Sequence, residues 1–219
     1  MIIYLATGNQ HKKNEMVKIC KEHTILIPSD KNIEFNPVEN GNSFSANSLI
    51  KAETLWNQVH KTVIADDSGI CIDALNGIPG IYSARYAGIA HPQGYPGSHE
   101  ILQSEQNRMI IEHTNIALEK KYGQKLTTMT KKERMNLRSC HYVCAMTLYI
   151  SKDVFYCVQE TFEGQLLESL DEQSGSNGFG YDPIIYLPEY NKTIAELDEV
   201  EKNRISHRGK AMRKILQVL

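Results

Sequence analysis

The sequence lacks a long hydrophobic run. No stretch reaches the ~18 apolar residues that a membrane-spanning helix needs. The short apolar segment at residues 2–6 precedes its lysines, whereas a secretory signal peptide has its positive charges first. An excess of one charge sign is also missing, since 24 basic and 26 acidic side chains give a formal net charge of −2. We therefore expect a soluble, cytoplasmic protein whose partners are neither membranes nor nucleic acids.

Cysteine is scarce, and its five residues are scattered and odd in number. This pattern favours buried thiols in a reducing compartment over a disulfide framework. Cys140, His141 and Cys144 are ligand types that zinc accepts, and they lie close together in the sequence. A strand would point the two cysteines one way and His141 the other, and no second ligand pair follows at zinc-site spacing. We expect a strand here rather than a zinc site.

Hydrophobic residues make up 41% of the chain and charged residues 23%, close to the averages of globular domains. No internal repeat and no linker-like change of composition divides the sequence, so we expect one α/β domain. Hydrophobic spacing, capping residues and turn residues predict its elements in order. These are a strand at 2–6, a helix at 11–22, an irregular or weakly extended stretch at 24–38, a helix reaching 60 after a Ser43 cap, a strand at 62–66, a turn at 67–69, a strand at 70–75, a loop at 88–98, a helix at 98–121, capping boxes at Thr130 and Thr193, a hairpin of strands 140–150 and 154–163, and a last helix after Ser206.

Thr7-Gly8-Asn9 lies between the first predicted strand and helix. Such a junction presents backbone N–H groups and the positive end of the helix dipole to an anion. Lys12 and Lys13 add positive charge one turn later. The segment is not a Walker loop, because the GxxxxGK[ST] pattern is absent. It is either a phosphate-binding turn or an ordinary strand–helix turn.

Asp66-Asp67-Ser68-Gly69 follows a buried strand. Two adjacent acids are costly there unless they are solvated or paired with cations. Side chains alternate along a strand, so only one of the two should face a shared pocket. Mg²⁺ prefers one or two carboxylates together with phosphate oxygens and waters. The segment therefore indicates a magnesium site, with an acidic turn capped by Ser68 as the alternative.

Two later segments carry groups that can contact a ligand. Phe179 stands between glycines in a loop, and an aromatic face with such neighbours can stack on a flat ring. The alternative is that Phe179 fills the core. Residues 202–210 concentrate hydrogen-bond donors before and within a helix start, where the alternative is a solvated basic surface.

Four blocks occur in order along the chain: ATGNQHKKNE, VIADDSGICIDALNGIPGIYSARYAG, SNGFGYDPIIY and KTIAELDEVEKNRISHRGKA. Together they resemble the inosine/xanthosine triphosphate pyrophosphatases, over residues 1–88 and about 140–219. The resemblance implies an α/β fold with a long, twisted, mixed β-sheet and flanking helices, in two lobes around a central substrate cleft. It also implies a single domain over 1–219 that forms a homodimer. The activity implied is Mg²⁺-dependent cleavage of ITP, dITP and XTP to monophosphate and pyrophosphate, which cleanses the nucleotide pool.

The resemblance also implies roles for individual residues. Asp67 is the expected catalytic residue and shares the metal ion with Glu39, although the sequence leaves open whether Asp67 or the metal ion activates the water. Phe179 is the expected base-stacking residue. Thr7, Asn9 and Lys12 are the expected triphosphate contacts, and Gly8, Lys51 and Ser68 are further expected substrate contacts. Gly180, Tyr181 and Asp182 are expected beside Phe179, with Lys202, His207 and Arg208 at the base edge.

The chain departs from the family pattern in three places. His11 replaces a glycine before the first lysine, Ala46 replaces an acid in the Ala46-Asn47-Ser48 segment, and about 89–139 is an atypical insertion. Two alternative functions follow. One is a nucleotide-binding regulatory protein with reduced or lost hydrolysis, and the other is a related pyrophosphatase for modified pyrimidine nucleotides.

Overall fold

The computed structural model describes residues 1–86 and 102–219. The loop predicted at 88–98 and the start of the helix predicted from residue 98 lie outside this part of the chain. Seven strands are found in the described residues: β1 Ile2–Leu5, β2 Thr24–Leu26, β3 Val63–Ile72, β4 Ser139–Ser151, β5 Val154–Leu166, β6 Ile185–Leu187 and β7 Lys192–Thr193. The α-helices there are α1 Gln10–Ile19, α2 Phe44–Val59, α3 Gln103–Tyr122, α4 Lys125–Thr128, α5 Lys131–Asn136, α6 Glu199–Ile205 and α7 His207–Leu216.

The strands form one mixed sheet in the order β2-β1-β3-β4-β5-β6-β7. β1 pairs in parallel with both β2 and β3, whereas β6 pairs antiparallel with β5 and β7. The predicted α/β fold with a mixed sheet and flanking helices is therefore confirmed. Within the part of the chain that the structure describes, no helix combines the length and the apolar character needed to cross a bilayer.

Local signals predicted several element ends correctly. Ser43 Oγ accepts the Ala46 N–H at 3.2 Å and begins α2, which ends at His60 in the left-handed conformation. Thr130 forms the predicted capping box with Glu133 at the start of α5. These ends follow from short-range hydrogen bonds, because the first N–H groups and last C=O groups of a helix have no partner within it.

One helix end and one turn were predicted wrongly. α1 ends at Ile19 rather than at residue 22, because the chain must turn to place Thr24 beside Ile2 in the parallel pair of β1 and β2. That pairing also places a short strand in the stretch 24–38, which was predicted to be irregular or weakly extended. The turn predicted at 67–69 is absent, since β3 runs through it without interruption.

Gly69 shows why β3 continues. A Cβ atom at this position would lie 2.3 Å from the Gly80 carbonyl oxygen and 2.4 Å from Ser83 Oγ. The next residue, Ile70, donates its N–H to Ser83 Oγ at 2.8 Å. Glycine is needed here for close approach of another segment, not for a turn.

The chain divides into two compact units. The first unit contains residues 1–68, 143–161 and 203–219, and the second contains residues 69–142 and 162–202. In the first unit, successive residues of β3 belong to different hydrophobic clusters. Ile64 packs in a cluster with residues of α1 and α7, whereas Val63 and Ala65 pack in a cluster with residues of α2. Side chains alternate along a strand. Asp66 therefore lies on the same face of β3 as Ile64, and Asp67 lies on the same face as Val63 and Ala65.

All five cysteines are free thiols, and only Cys157 is exposed. Cys140, Tyr142 and Cys144 are buried, while His141 is partly exposed. The alternation predicted for this segment is therefore confirmed. Burial raises the pKa of the Cys144 thiol well above its usual range, which keeps the thiol neutral.

Candidate active site

The turn between β1 and α1 is held by its own side chains. Asn9 Oδ1 accepts the N–H groups of His11 at 2.8 Å and Lys12 at 3.2 Å, so Asn9 caps α1. Thr7 Oγ1 accepts the Asn9 N–H at 3.1 Å. Gly8 is exposed, and a Cβ atom built on it would have no heavy atom within 4 Å. The turn thus has a defined shape and an open side.

Asp66 lies on the face of β3 that is covered by α1 and α7. Its side chain is completely buried. Asp66 Oδ2 accepts Lys12 Nζ at 2.8 Å, Ser68 Oγ at 3.1 Å and Arg208 Nε at 3.4 Å. Arg208 also donates to Ser68 Oγ at 3.0 Å and pairs with Glu15. Among the described residues, Asp66 Oδ1 has no hydrogen-bond partner.

The charges around Asp66 compensate for its burial. Burial alone would raise the pKa of the Asp66 carboxyl, but Lys12, Arg208 and Lys51 hold it well below its usual range. Burial likewise works against the charged form of Arg208, whereas Asp66 and Glu15 raise the pKa of the guanidinium. Asp66 and Arg208 are therefore both charged at neutral pH. An ionised carboxylate oxygen without a donor is an acceptor for a water or a cation.

Asp67 lies on the opposite face of β3, against α2. Lys51 Nζ donates to Asp67 Oδ1 at 2.8 Å and to Glu39 Oε2 at 3.2 Å. Asn47 Nδ2 donates to Asp67 Oδ2 at 3.3 Å. Burial raises the pKa of Asp67 above its usual value, although Lys51 acts in the opposite direction. The prediction that strand alternation separates the two acids is confirmed.

The donor set suits a divalent metal ion of the magnesium type. The residues the structure describes contain no group of three or more His, Cys, Asp or Glu side chains that would enclose a metal ion. Glu39 and Asp67 nevertheless share one cation, the Lys51 ammonium. Mg²⁺ is commonly held by one or two carboxylates together with substrate phosphates and waters. Two carboxylates already arranged around a positive charge fit that requirement.

The second unit has a cluster of its own around Asp182. Asp182 Oδ2 accepts the Phe179 N–H at 2.9 Å and Lys202 Nζ at 2.9 Å. Its other oxygen accepts the Tyr142 hydroxyl at 3.2 Å. Lys202 Nζ lies 5.0 Å from the centroid of the Phe179 ring, within the range of a cation–π interaction. The loop that carries Phe179 is thus tied to a buried ion pair.

Three further features shape this loop. Gly178 has a φ of +78°, and a Cβ atom there would lie 2.2 Å from Asp182 Oδ2. Tyr181 is buried and donates its hydroxyl to the Ser83 carbonyl at 2.8 Å. Asn107 Nδ2 donates to the Gly180 carbonyl at 3.4 Å. Tyr181 fills the interior, and Phe179 stays half-buried.

A family model described as the Ham1 family matches residues 3–218. This chain belongs to the Ham1 family. It is 41% identical to a dITP/XTP pyrophosphatase of Treponema denticola, over 97% of this chain and 95% of that protein. It is 35% identical to a dITP/XTP pyrophosphatase of Bacillus anthracis, over 97% of this chain and 93% of that protein.

Solved structures agree with this assignment. A HAM1 protein from Coxiella burnetii superposes with a TM-score of 0.78 at 30% identity, covering 100% of this chain and 98% of that one. The Ham1 protein of Staphylococcus aureus superposes with a TM-score of 0.72 at 32% identity, covering 100% and 97%. The resemblance inferred from four sequence blocks is confirmed.

The predicted site residues of this Ham1 chain fall into both units. Arg208 was predicted at the base edge, and its contacts here are with Asp66, Glu15 and Ser68 of the first unit. Lys13, expected to add charge near the turn, pairs instead with Asp30. The first unit holds Thr7, Gly8, Asn9, Lys12, Glu39, Lys51, Asp67, Ser68, His207 and Arg208; the second holds Phe179, Gly180, Tyr181, Asp182 and Lys202.

Three residues that shape the first unit's site, Asp66, Glu15 and Asn47, had no individual role predicted from the sequence. Asp66 precedes Asp67 at the end of a predicted strand. Because side chains of successive strand residues point to opposite faces, the sequence already indicated that Asp66 faces a different set of partners from Asp67. Glu15 and Asn47 gave no comparable signal, since a polar residue in a helix is ordinarily solvated. Their partners, Arg208 and Asp67, are distant in the sequence.

Proposed function

We propose that this protein hydrolyses the non-canonical purine nucleoside triphosphates ITP, dITP and XTP to monophosphate and pyrophosphate, with Mg²⁺ as its metal ion. The observation that carries the proposal is the pair of carboxylates, Glu39 and Asp67, arranged around one lysine in a Ham1-family chain. The names of the relatives, dITP/XTP pyrophosphatase, support the choice of substrates. The chain is accordingly an acid-anhydride hydrolase acting on the nucleotide pool of the cytoplasm.

The phosphates are the part of the substrate assigned to the first unit. Lys12 and Lys51 supply cations, and the turn at Thr7-Gly8-Asn9 supplies an open face at the start of α1. Asp66 holds the Lys12 ammonium at 2.8 Å. Lys12 therefore has one carboxylate partner before any phosphate arrives, which limits its freedom to rotate. A cation that is already ordered loses less entropy on binding.

Glu39 and Asp67 would hold the metal ion. When bound, Mg²⁺ neutralises negative charge on the phosphate oxygens. Asp67 orients the attacking water and accepts its proton. The water oxygen then bonds to the α-phosphorus, and the bond from that phosphorus to the bridging oxygen breaks. Pyrophosphate leaves with that oxygen. Lys12 stays beside the departing charge.

Base selection is assigned to Phe179 and Lys202 of the second unit. Hypoxanthine and xanthine carry an oxygen acceptor at position 6, where adenine carries an amino donor. Lysine only donates, so it pairs with the oxygen and opposes the amino group. A buried polar group left unpaired costs about 1–3 kcal/mol, or roughly 5- to 150-fold in specificity. Phe179 contributes stacking, which does not discriminate between purines.

A substrate panel tests the proposal. Pyrophosphate release is measured with Mg²⁺ for ITP, dITP, XTP, GTP, ATP, dUTP and dTTP. The first three should be strongly preferred. A preference for dUTP or dTTP would contradict the purine assignment, and nucleotide binding without pyrophosphate release would identify a binding protein. The proposed homodimer is tested separately, by the molar mass in sedimentation equilibrium.

A further inference from the structure

Asn47 is a fully buried polar residue in the first turn of α2. It belongs to the segment in which this chain has Ala46 where the family has an acid. Four residues later on the same helix comes Lys51, which binds both Glu39 and Asp67. Residues i and i+4 of a helix share one face. Asn47 and Lys51 therefore approach Asp67 from the same side.

The orientation of the Asn47 amide follows from its neighbours. The backbone N–H of Gly41 points at one end of the amide, with a nitrogen-to-Oδ1 distance of 2.9 Å. A backbone N–H can only donate, so the amide oxygen must face it. The NH₂ group then faces Asp67 Oδ2, which it reaches at 3.3 Å. The amide thus has one partner in the loop and one on β3.

Asp67 is held at both of its oxygens by this helix. Lys51 binds Oδ1 at 2.8 Å and Asn47 binds Oδ2. A carboxylate that accepts one donor on each oxygen is restrained in rotation about its Cβ–Cγ bond. Each carboxylate oxygen has two lone pairs, so these contacts leave Asp67 with acceptor capacity for a metal ion or a water.

Gly41 connects the same amide to Glu39, two residues earlier in the loop. A Cβ atom on Gly41 would lie 2.7 Å from Asn47 Oδ1 and 3.0 Å from the Asn47 backbone nitrogen. The loop approaches α2 so closely that a side chain at Gly41 would push it away. The position of the loop that carries Glu39 therefore depends on its contact with Asn47.

We propose that Asn47 is a positioning residue that couples the Glu39 loop to Asp67, so that the two carboxylates are presented together to the divalent metal ion. This inference rests on the proposed function, because it assumes that Glu39 and Asp67 share that ion. Groups that orient metal ligands typically change metal affinity or activity 10- to 100-fold when they are removed.

Ser48 provides a matched control for a purely structural role. It is the next residue of α2 and is equally buried. Its hydroxyl lies 2.8 Å from Thr147 Oγ1 and 3.1 Å from the Ala65 carbonyl oxygen. Neither contact involves Glu39, its loop or Asp67. Ser48→Ala thus removes buried hydrogen bonds of α2 without touching the carboxylate pair.

The test compares Asn47→Ala, Gly41→Ala and Ser48→Ala with the unaltered protein. Mn²⁺ binding to the nucleotide-free protein is measured by electron paramagnetic resonance, and the melting temperature is measured without metal. Asn47→Ala should weaken Mn²⁺ binding about 10- to 100-fold. Gly41→Ala should weaken it in the same direction. Ser48→Ala should lower the melting temperature and leave Mn²⁺ affinity within about twofold of the original.

Hydrolysis provides a second measurement. Asn47→Ala should raise the Mg²⁺ concentration for half-maximal ITP hydrolysis and lower kcat at saturating Mg²⁺, while KM for ITP changes little. If Asn47→Ala does not fold, the decision rests on Gly41→Ala, whose substitution lies outside α2. Mn²⁺ affinities of Asn47→Ala and Gly41→Ala equal to that of Ser48→Ala would overturn the proposal. An unaltered protein without measurable Mn²⁺ binding would overturn it as well.

The two proposals fail differently. If the unaltered protein binds Mn²⁺ but releases no pyrophosphate from any nucleotide, the proposed function is wrong. A loss of Mn²⁺ affinity in Asn47→Ala would then still support the positioning role. If pyrophosphate is released and Asn47→Ala retains full Mn²⁺ affinity, the function stands and the role of Asn47 is wrong.

Discussion

Asp66 in the first unit and Asp182 in the second are both buried, and each accepts a lysine ammonium at nearly the same distance. Lys12 Nζ lies 2.8 Å from Asp66 Oδ2, and Lys202 Nζ lies 2.9 Å from Asp182 Oδ2. Each cluster therefore contains one lysine–aspartate pair whose carboxylate is buried. Burial of a charged pair is tolerated only where further hydrogen bonds satisfy the remaining atoms.

The further partners distinguish the two clusters. Asp66 is bound by a second cation, Arg208, and stands in the regular strand β3. Asp182 is bound by neutral donors, the Phe179 N–H and the Tyr142 hydroxyl, and stands in a 3₁₀ turn. The first cluster brings two cations, Lys12 and Arg208, to one buried carboxylate on a regular strand. The second cluster ties a loop and its aromatic ring to one lysine–aspartate pair.

The largest expected effect comes from Asp67→Asn. The substitution preserves shape and removes the charge that would hold Mg²⁺ and accept the water proton. Turnover of ITP should fall about 10²- to 10⁴-fold, and turnover of ATP should fall in proportion, because Asp67 belongs to the phosphate side. Pyrophosphate release with both nucleotides measures this. Near-normal turnover by folded Asp67→Asn protein would contradict the assignment.

Asp66→Asn should affect stability more than any single change at Asp182. It leaves Lys12 and Arg208 without their shared carboxylate, and removal of one partner from a buried ion pair costs about 3–5 kcal/mol. Urea denaturation gives the free energy of unfolding. Lys12→Met is the matched control and should cost less, because Asp66 keeps Arg208. A loss below about 1 kcal/mol for Asp66→Asn would show that its cations find other partners.

Lys202→Met should reduce the preference for ITP over ATP more than it reduces the rate of hydrolysis. A charge-assisted hydrogen bond to the purine 6-oxygen is worth about 1.5–3 kcal/mol, so the ratio of kcat/KM for ITP over ATP should fall roughly 10- to 150-fold. The same ratio in Arg208→Met tests the sequence-based role of Arg208. An unchanged ratio with lower activity on both nucleotides would assign Arg208 to the first cluster alone.

Tyr142→Phe is expected to have the smallest effect. It removes one neutral donor from Asp182 and leaves the Lys202 pair and the Phe179 N–H in place. The free energy of unfolding should fall by about 1 kcal/mol, and the ITP over ATP ratio should stay within a fewfold of the original. A large loss of selectivity would mean that the hydroxyl, and not only the lysine, determines the geometry of the base site.

Features that depend on neighbouring residues were predictable. The Ser43 cap of α2, the Thr130 capping box of α5 and the Ser206 cap of α7 each follow from a side chain that bonds to the N–H three residues later. The hairpin of β4 and β5 was predicted in the right place, although both strands are longer than expected. Phe179 and Lys202 were both predicted to contact the base, and that prediction came from the family resemblance and not from local sequence patterns.

By itself, then, the sequence determined the element types, the caps and the family, because those depend on short-range hydrogen bonds, hydrophobic spacing and ordered motifs. Tertiary structure decided the rest. Asp, Ser and Gly favour turns locally, yet β3 passes through residues 66–69 because Ser83 binds Ile70 and leaves no room for a side chain at Gly69. Asp66 and Arg208 are 142 residues apart, and their charges meet only because β3 and α7 pack in one core. No local pattern encodes such a pairing, since it depends on where the chain returns after folding.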